Sequence, residues 1–280
     1  MIRKLLLVAG CLSFISLATL GQSRNDSLSM YEPRRTSVFV NAGGTQYVGD
    51  LWQIGDELNP GLTFGIGIRQ RIAPMFSVRG DLSFYNIKGD DRLTTDFGRN
   101  NRNLSFKADN FEASLMGVFH VFPHYSYQQR PGFNLYFFGG LGVTTNNPKA
   151  RYQGNWYNLR PIQTEGVNYN GLVRVIPMGS GLSYKLSEKV DFGFEIAYRV
   201  VDTDYLDDVS NTYRPWDSFS DPIHRELSDR RTTGRGILTE IRGNPNQNDS
   251  YWFVNFKLEY YLPYSFTHKL SRKKSTEKFR

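Results

Sequence analysis

Cysteine is almost missing from this 280-residue chain, which has only Cys11. Cys11 lies where Arg3 and Lys4 precede an apolar stretch, residues 5–20, that ends at Gly21 and turns polar from Gln22. This is the layout of a secretory signal peptide, expected over 1–21 with cleavage at Gly21/Gln22. A competing reading takes Val8-Ala9-Gly10-Cys11 as a lipoprotein box. That reading leaves only about six apolar residues before the cut, short for an h-region, and strands residues 12–20 on the mature protein. With Cys11 removed, disulfides, thiol catalysis and Cys-ligated zinc are all excluded. Export without a disulfide suits a bacterial envelope better than a small secreted eukaryotic domain. Long apolar runs are missing too. Nothing after the leader reaches the ~18–20 consecutive apolar residues of a membrane helix, so a helical span is excluded. Basic charge is scarce outside the ends. Of the formal +7, Arg3 and Lys4 supply two, and from His268 onward six basic residues face Glu277 alone, so residues 22–267 are neutral. A basic tail is not a groove-lining patch, and no nucleic-acid partner is expected.

What the chain does have is alternation. In residues 62–72, Leu62, Phe64, Ile66 and Ile68 share one face of an extended segment, and Thr63, Gly65, Gly67, Arg69 and Arg71 share the other. The pattern recurs at 76–86, 111–121, 190–200 and 252–260, and more faintly at 36–44, 135–145 and 173–186, where Pro177 is tolerable near a strand end or bulge. Eight strands of about ten residues suit a tilted bilayer crossing. The connections alternate in length: "APM" and a few residues around Ser187 and Glu188 on one side, and 45–60, 88–107, 146–172 and 203–249 on the other. Only the link 123–134 is longer than a tight turn should be. Short links on one side and long loops on the other predict an all-β fold, an eight-stranded antiparallel transmembrane β-barrel with short periplasmic turns and long extracellular loops.

In lipid the polar face must be enclosed. It contains Arg69, Arg71, Arg79, Arg199 and Lys257 with Asp81, Glu112, Asp191, Glu195 and Glu259, a balance that permits the pairing buried charges require. A one-residue slip would place Arg69 and Arg71 in hydrocarbon, at about 2–4 kcal/mol each near the midplane, so register is strongly fixed. Phe76, Tyr85, Phe119, Tyr136, Tyr198, Trp252, Tyr260 and Tyr261 suit interfacial girdles. A soluble secreted barrel with these aromatics in its core is the alternative. An even strand count puts both chain ends on one side, taken as the periplasm. The expected division is signal peptide 1–21, N-terminal periplasmic segment 22–35, barrel 36–262 and basic periplasmic tail 263–280. The expected location is the bacterial outer membrane, in contact with its lipids.

Candidate chemistry is thin. Asp202, Asp204, Asp207 and Asp208 could offer oxygen ligands to Ca²⁺, but the EF-hand spacing and glycine are missing, and a solvated or hydrogen-bonded loop at a strand end is the preferred reading. Asp221-Pro222 has the N-cap and N1 residues of a short helix over 222–231. A rim hydrolase or acyltransferase would need a polarised Ser or His. His120 falls on the lumen face, His124 in a turn, His268 in the tail, and His224 shares a long loop with Ser210 and Ser218, with nothing to fix their geometry. Gly65-Ile66-Gly67 and Gly139-Gly140-Leu141-Gly142 lie inside strands and lack the following helix of a nucleotide loop; relief of crowding in a narrow barrel accounts for them better. Eight strands leave an interior that side chains fill, so a pore is not expected.

Several blocks occur in an order that resembles a known family. They are Tyr47-Val48-Gly49-Asp50-Leu51, Asn147-Pro148-Lys149-Ala150, Trp156-Tyr157-Asn158-Leu159-Arg160-Pro161, Thr164-Glu165-Gly166, Ile176-Pro177-Met178-Gly179, and Asp204-Tyr205-Leu206-Asp207-Asp208-Val209-Ser210 before Tyr213. Together they resemble the PorG-like outer-membrane barrels of Bacteroidota, associated with the type IX secretion system. The likeness runs from about Tyr47 to Tyr260, and residues 204–210 are its most specific piece. Arg160 departs from the glutamine that pattern would place there. The resemblance implies a non-enzymatic part in protein export, without cofactor or small-molecule substrate, in which the barrel associates with a periplasmic ring of a lipoprotein and a partner subunit. On this reading Lys269, Arg272, Lys273 and Lys274 contact an acidic face of the ring. A rim enzyme acting on lipid and a surface adhesin or structural barrel are the alternatives.

Overall fold

A computed structural model of the chain describes residues 36–124, 130–235 and 240–262. The leader, the 22–35 segment and the tail with Lys269, Arg272, Lys273 and Lys274 lie outside these residues. Ten strands form: β1 Thr36–Val48, β2 Gly61–Ala73, β3 Phe76–Asp90, β4 Ser105–His120, β5 Phe133–Thr145, β6 Pro148–Tyr152, β7 Asn155–Asn158, β8 Leu172–Lys185, β9 Val190–Val201 and β10 Ser250–Tyr261. Two short helices, α1 Phe97–Arg102 and α2 Pro222–Ser228, lie in the long connections. Eight strands, all but β6 and β7, pair antiparallel with their sequence neighbours, and β1 pairs with β10 (Val40 opposite Leu258), which closes the barrel. The β6–β7 hairpin adds to β4 through Ala108 and Lys107, a strand extension not anticipated in the alternation of the sequence.

The register places the apolar residues outside. Along β2, Leu62, Phe64, Ile66 and Ile68 are exposed while Thr63, Arg69 and Arg71 are buried in the lumen. Ile66 is 58% exposed and Arg79 1%, the inverse of a water-soluble barrel. The outward positions of β3 run Phe76, Val78, Leu82, Phe84 and then Asn86, Lys88, Asp90, so the strand leaves the apolar zone beyond Phe84. Phe76 to Phe84 is about 26 Å of strand at ~3.3 Å per residue, the scale of the ~25 Å apolar band of outer-membrane barrels. Phe76–Phe119 marks one edge of the band, and Phe84–Phe111 and Tyr198–Trp252 mark the other. The girdle expectation needs a correction: Tyr85, Tyr136 and Tyr261 point inward and are buried. Each has a lumenal hydrogen-bond partner for its hydroxyl, which a lipid-facing position would not provide.

Glycines make room for large lumen groups on the neighbouring strand. Gly67 lies opposite Phe39 and Gly181 opposite Tyr136, and a Cβ at either would come within 2.2–2.5 Å of the ring. Gly139 is different, since it faces outward and a Cβ there would meet the Pro177 carbonyl at an ordinary 3.8 Å. Pro177 sits in mid-strand, not at an end or a bulge. The β5–β8 ladder skips Gly140 and Leu141 opposite Pro177 and Ile176 and resumes in the same register, because proline has no N–H to donate. The long link after β4 is pinned across the short-turn mouth: the His124 N–H donates to the Pro74 carbonyl, and Asn134 brackets Phe122. Helix α2 has the expected start, with Asp221 accepting from the Ile223 N–H at 2.8 Å. It ends at Ser228, three residues early, where the backbone of Asp229 turns extended.

Candidate functional site

Three polar assemblies occupy the inside of the barrel and its two mouths. In the centre, Glu195 of β9 receives Arg79 of β3 at 2.7 Å, Lys257 of β10 at 2.7 Å and the Tyr136 hydroxyl at 2.6 Å. Arg79 also meets Asp81 at 3.1 Å. Lys257 continues to Glu259 at 3.4 Å, which takes Arg69 at 3.0 Å and the Ser37 hydroxyl at 2.5 Å. Toward the long loops, Glu112 faces Arg199 at 3.5 Å and accepts from the Tyr251 hydroxyl at 2.8 Å. Arg71 faces Glu259 and the two lumen-side histidines. The ten charged positions read from the alternating pattern are thus all buried in the lumen, with Arg69, Arg79, Asp81, Glu195, Lys257 and Glu259 joined in a central cluster and Glu112–Arg199 a separate pair. Further partners came from elsewhere. Arg130 reaches in from the 121–132 link to pair with Asp191 under the Tyr261 ring, and Tyr136 and Tyr251 supply hydroxyls. Arg130 carries no periodic signal, because its position depends on how a non-strand link folds back.

At the other end the long loops build a cap. Leu206 and Val209 pack into an apolar floor with Tyr47, Leu51, Ile87 and Phe106. Asp208, in the left-handed region at φ 70, turns its carboxylate to the hydroxyls of Thr164 (2.5 Å) and Tyr169 (2.6 Å). Burial raises its pKa to about 6 against the pull of Arg242. Glu165 accepts the N–H groups of Ser210 (3.0 Å) and Asn211 (2.9 Å) and pairs with buried Arg242 at 2.8 Å. Arg242 also donates to the carbonyls of Asp208 and Ser228. Arg102 ties Asp91 (2.7 Å) to the carbonyls of Asp50 (2.7 Å) and Arg242 (2.6 Å). Beside this cap, the β6–β7 hairpin and α2 pack on each other through Ala150, Leu159, Ile162, Phe219 and Leu227.

The Asp204–Ser210 run is therefore a buried keystone. The carboxylates in and just before it diverge: Asp202 pairs outside with Arg174, Asp207 turns to Tyr47 and Asp208 to Thr164. Among the described residues no group of three or more His, Asp or Glu is placed to hold a metal ion. Of the residues considered for rim chemistry, Ser210 is buried under the cap beside Asp204, His224 on α2 faces Asp221 at 3.8 Å, and Ser218 donates to the Pro215 carbonyl. His120 contacts the Ser77 hydroxyl at 3.1 Å. His124 is held neutral, its pKa lowered to about 2 by burial and by Arg71.

An apolar belt around an ion-paired, filled lumen defines the class: an eight-stranded barrel of the outer-membrane type. The chain belongs to the DUF6089 family, a domain of unknown function, which matches residues 27–220. Among solved structures it is similar to Neisserial surface protein A, at 10% identity and a TM-score of 0.43 over 81% of this chain and 97% of that one. It is also similar to the outer-membrane protein OprG of Pseudomonas aeruginosa, at 11% identity and 0.38 over 81% and 97%. The outer-membrane enzyme PagL matches at 10% identity and 0.33 over 81% and 99%. No curated protein matches the sequence.

Proposed function

We propose that this protein is a non-enzymatic outer-membrane component of type IX secretion machinery that anchors, or associates with, the periplasmic ring formed by a lipoprotein and its partner subunit. One observation supports this reading above others: the blocks that carry the resemblance to PorG-like barrels converge in space. Tyr47, Leu51, Thr164, Glu165 and the 204–210 run, far apart in sequence, meet in the cap as hydrogen-bond and packing partners. A filled lumen beneath such a cap suits a rigid membrane-held body that presents its short-turn mouth and basic tail to the periplasm. On this reading Lys269, Arg272, Lys273 and Lys274 contact an acidic face of the ring, and lipid surrounds the belt.

Crosslinking in intact cells, followed by identification of captured partners, is expected to recover ring subunits, and deletion is expected to reduce secreted proteins. Truncation after Leu262 separates the tail from the barrel. A several-fold drop in recovered ring is expected, while undiminished recovery would remove the tail from the contact. Secretion and ring recovery that do not depend on the protein would refute the reading as a whole.

A further inference from the structure

Two carboxyl groups and one phenol meet at the floor of the cap. The Tyr47 hydroxyl lies 2.6 Å from Asp207 Oδ2 and 2.6 Å from Asp249 Oδ1, and the three side chains are 0–1% exposed. A phenol has a single proton to donate, and ionised carboxylates only accept. One of the two short contacts therefore needs a second proton, carried by a carboxyl that donates to the phenol oxygen. The outer oxygens are engaged as acceptors: Asp207 Oδ1 takes the Val209 N–H at 2.9 Å and Asp249 Oδ2 the Leu206 N–H at 2.8 Å. The surroundings bring more negative than positive charge. Asp50 of the 49–60 loop faces both carboxyls, Asp204 faces Asp249, the neutral Tyr169 phenol faces Asp207, and Arg102 of α1 is the cation that faces Asp207. Asp204 gives an independent sign of proton demand. It is 8% exposed, faces the carboxylates of Asp50 and Glu165, and has the Ser210 hydroxyl as the group that favours its ionised form.

We propose that the cap is a proton-operated latch, in which a proton bound between Asp207, Tyr47 and Asp249 ties residues 204–210 to β1 and to the start of β10, and its loss releases the loops. The latch does not depend on the secretion reading. Burial, then the neighbouring carboxylates, raises Asp207 and Asp249 well above the usual carboxylate range, and burial raises Asp204 to about 7 against the pull of Ser210. Groups whose folded pKa is raised stabilise the folded form at acid pH, and that contribution is lost as pH rises through the folded values. The cap is therefore tight in acid and loosens upward, with the Asp204 contribution fully lost by about pH 7.

The test is hydrogen exchange at the Leu206 and Val209 amides of the mature protein in lipid nanodiscs, corrected for intrinsic rates, across pH 6 to 9. Protection is expected to fall about tenfold per pH unit over the range in which the closed cap still holds the proton and the opened cap has lost it, and to level off once the closed pair releases it. In Asp249→Asn the amide N–H₂ donates to Tyr47 without titrating and its oxygen still accepts from Leu206, so protection is expected to be flat with pH above about 7, where Asp204 has finished titrating. Asp207→Asn is the parallel variant. Infrared spectra of the unaltered protein at neutral pH are expected to show a buried protonated carboxyl band that Asp249→Asn removes. Protection independent of pH in the unaltered protein, a slope unchanged in both variants, or the absence of that band would overturn the latch. So would restoration of protection at high pH by Ca²⁺, which would mean that a cation takes the place of the proton.

Discussion

Glu195→Ala is expected to destabilise the barrel by about 3–5 kcal/mol, the usual consequence of removing one partner from a buried ionic cluster. Glu195 is the shared acceptor of Arg79, Lys257 and the Tyr136 hydroxyl, all inside the lumen. Its loss leaves two cations in a low-dielectric interior, with Asp81 and Glu259 as the remaining counter-charges. Urea titration of the refolded protein in lipid vesicles, read by tryptophan fluorescence, measures the cost. Adding Lys257→Met to Glu195→Ala is expected to recover part of it, because a cation and its counter-charge then leave together. A single variant as stable as the parent would show that the lumen is hydrated enough to hold unpaired charge.

The second large effect lies on the other side of the same wall. Ile66 is near the middle of the outward band on β2, and Ile66→Arg is expected to cost about 2–4 kcal/mol in a bilayer, the range for a basic residue at the midplane. The same substitution at Ile54, 93% exposed in the 49–60 loop, is expected to fall within about 0.5 kcal/mol of the parent. Folding yield into vesicles under the same urea titration compares the two. Equal costs would mean that Ile66 meets water, as in a soluble barrel.

The barrel was legible because a bilayer and a narrow lumen impose opposite demands on adjacent residues, which sets a period of two that no loop reproduces. That period located Arg79, Asp81, Glu195 and Lys257, whose exchange with Val78, Leu82, Ile196 and Leu258 would put charge into lipid. It could not separate the two kinds of aromatic at strand ends. Tyr85 and Tyr136 satisfy a lumenal hydroxyl and Trp252 a membrane edge, and composition looks alike for both. The cap was legible only as a conspicuous acidic run. Its partners Tyr47, Arg102, Glu165, Arg242 and Asp249 come from four separate stretches of chain, and their convergence is a property of loop paths that local sequence does not encode. The β6–β7 hairpin escaped for the same reason: four- and five-residue strands carry too few alternations to register.

Because the chain after the leader has no cysteine, single cysteines can be introduced one at a time at residues 62–69 and 252–259 and spin-labelled in lipid vesicles. Accessibility to oxygen, which partitions into lipid, is expected to peak at 62, 64, 66 and 68 and at 252, 254, 256 and 258, with minima at the positions between. Accessibility to a water-soluble nickel reagent is expected to stay low at all central positions. If the nickel reagent instead reaches 64, 66, 254 and 256 freely, the apolar face does not meet lipid, and the transmembrane barrel is contradicted.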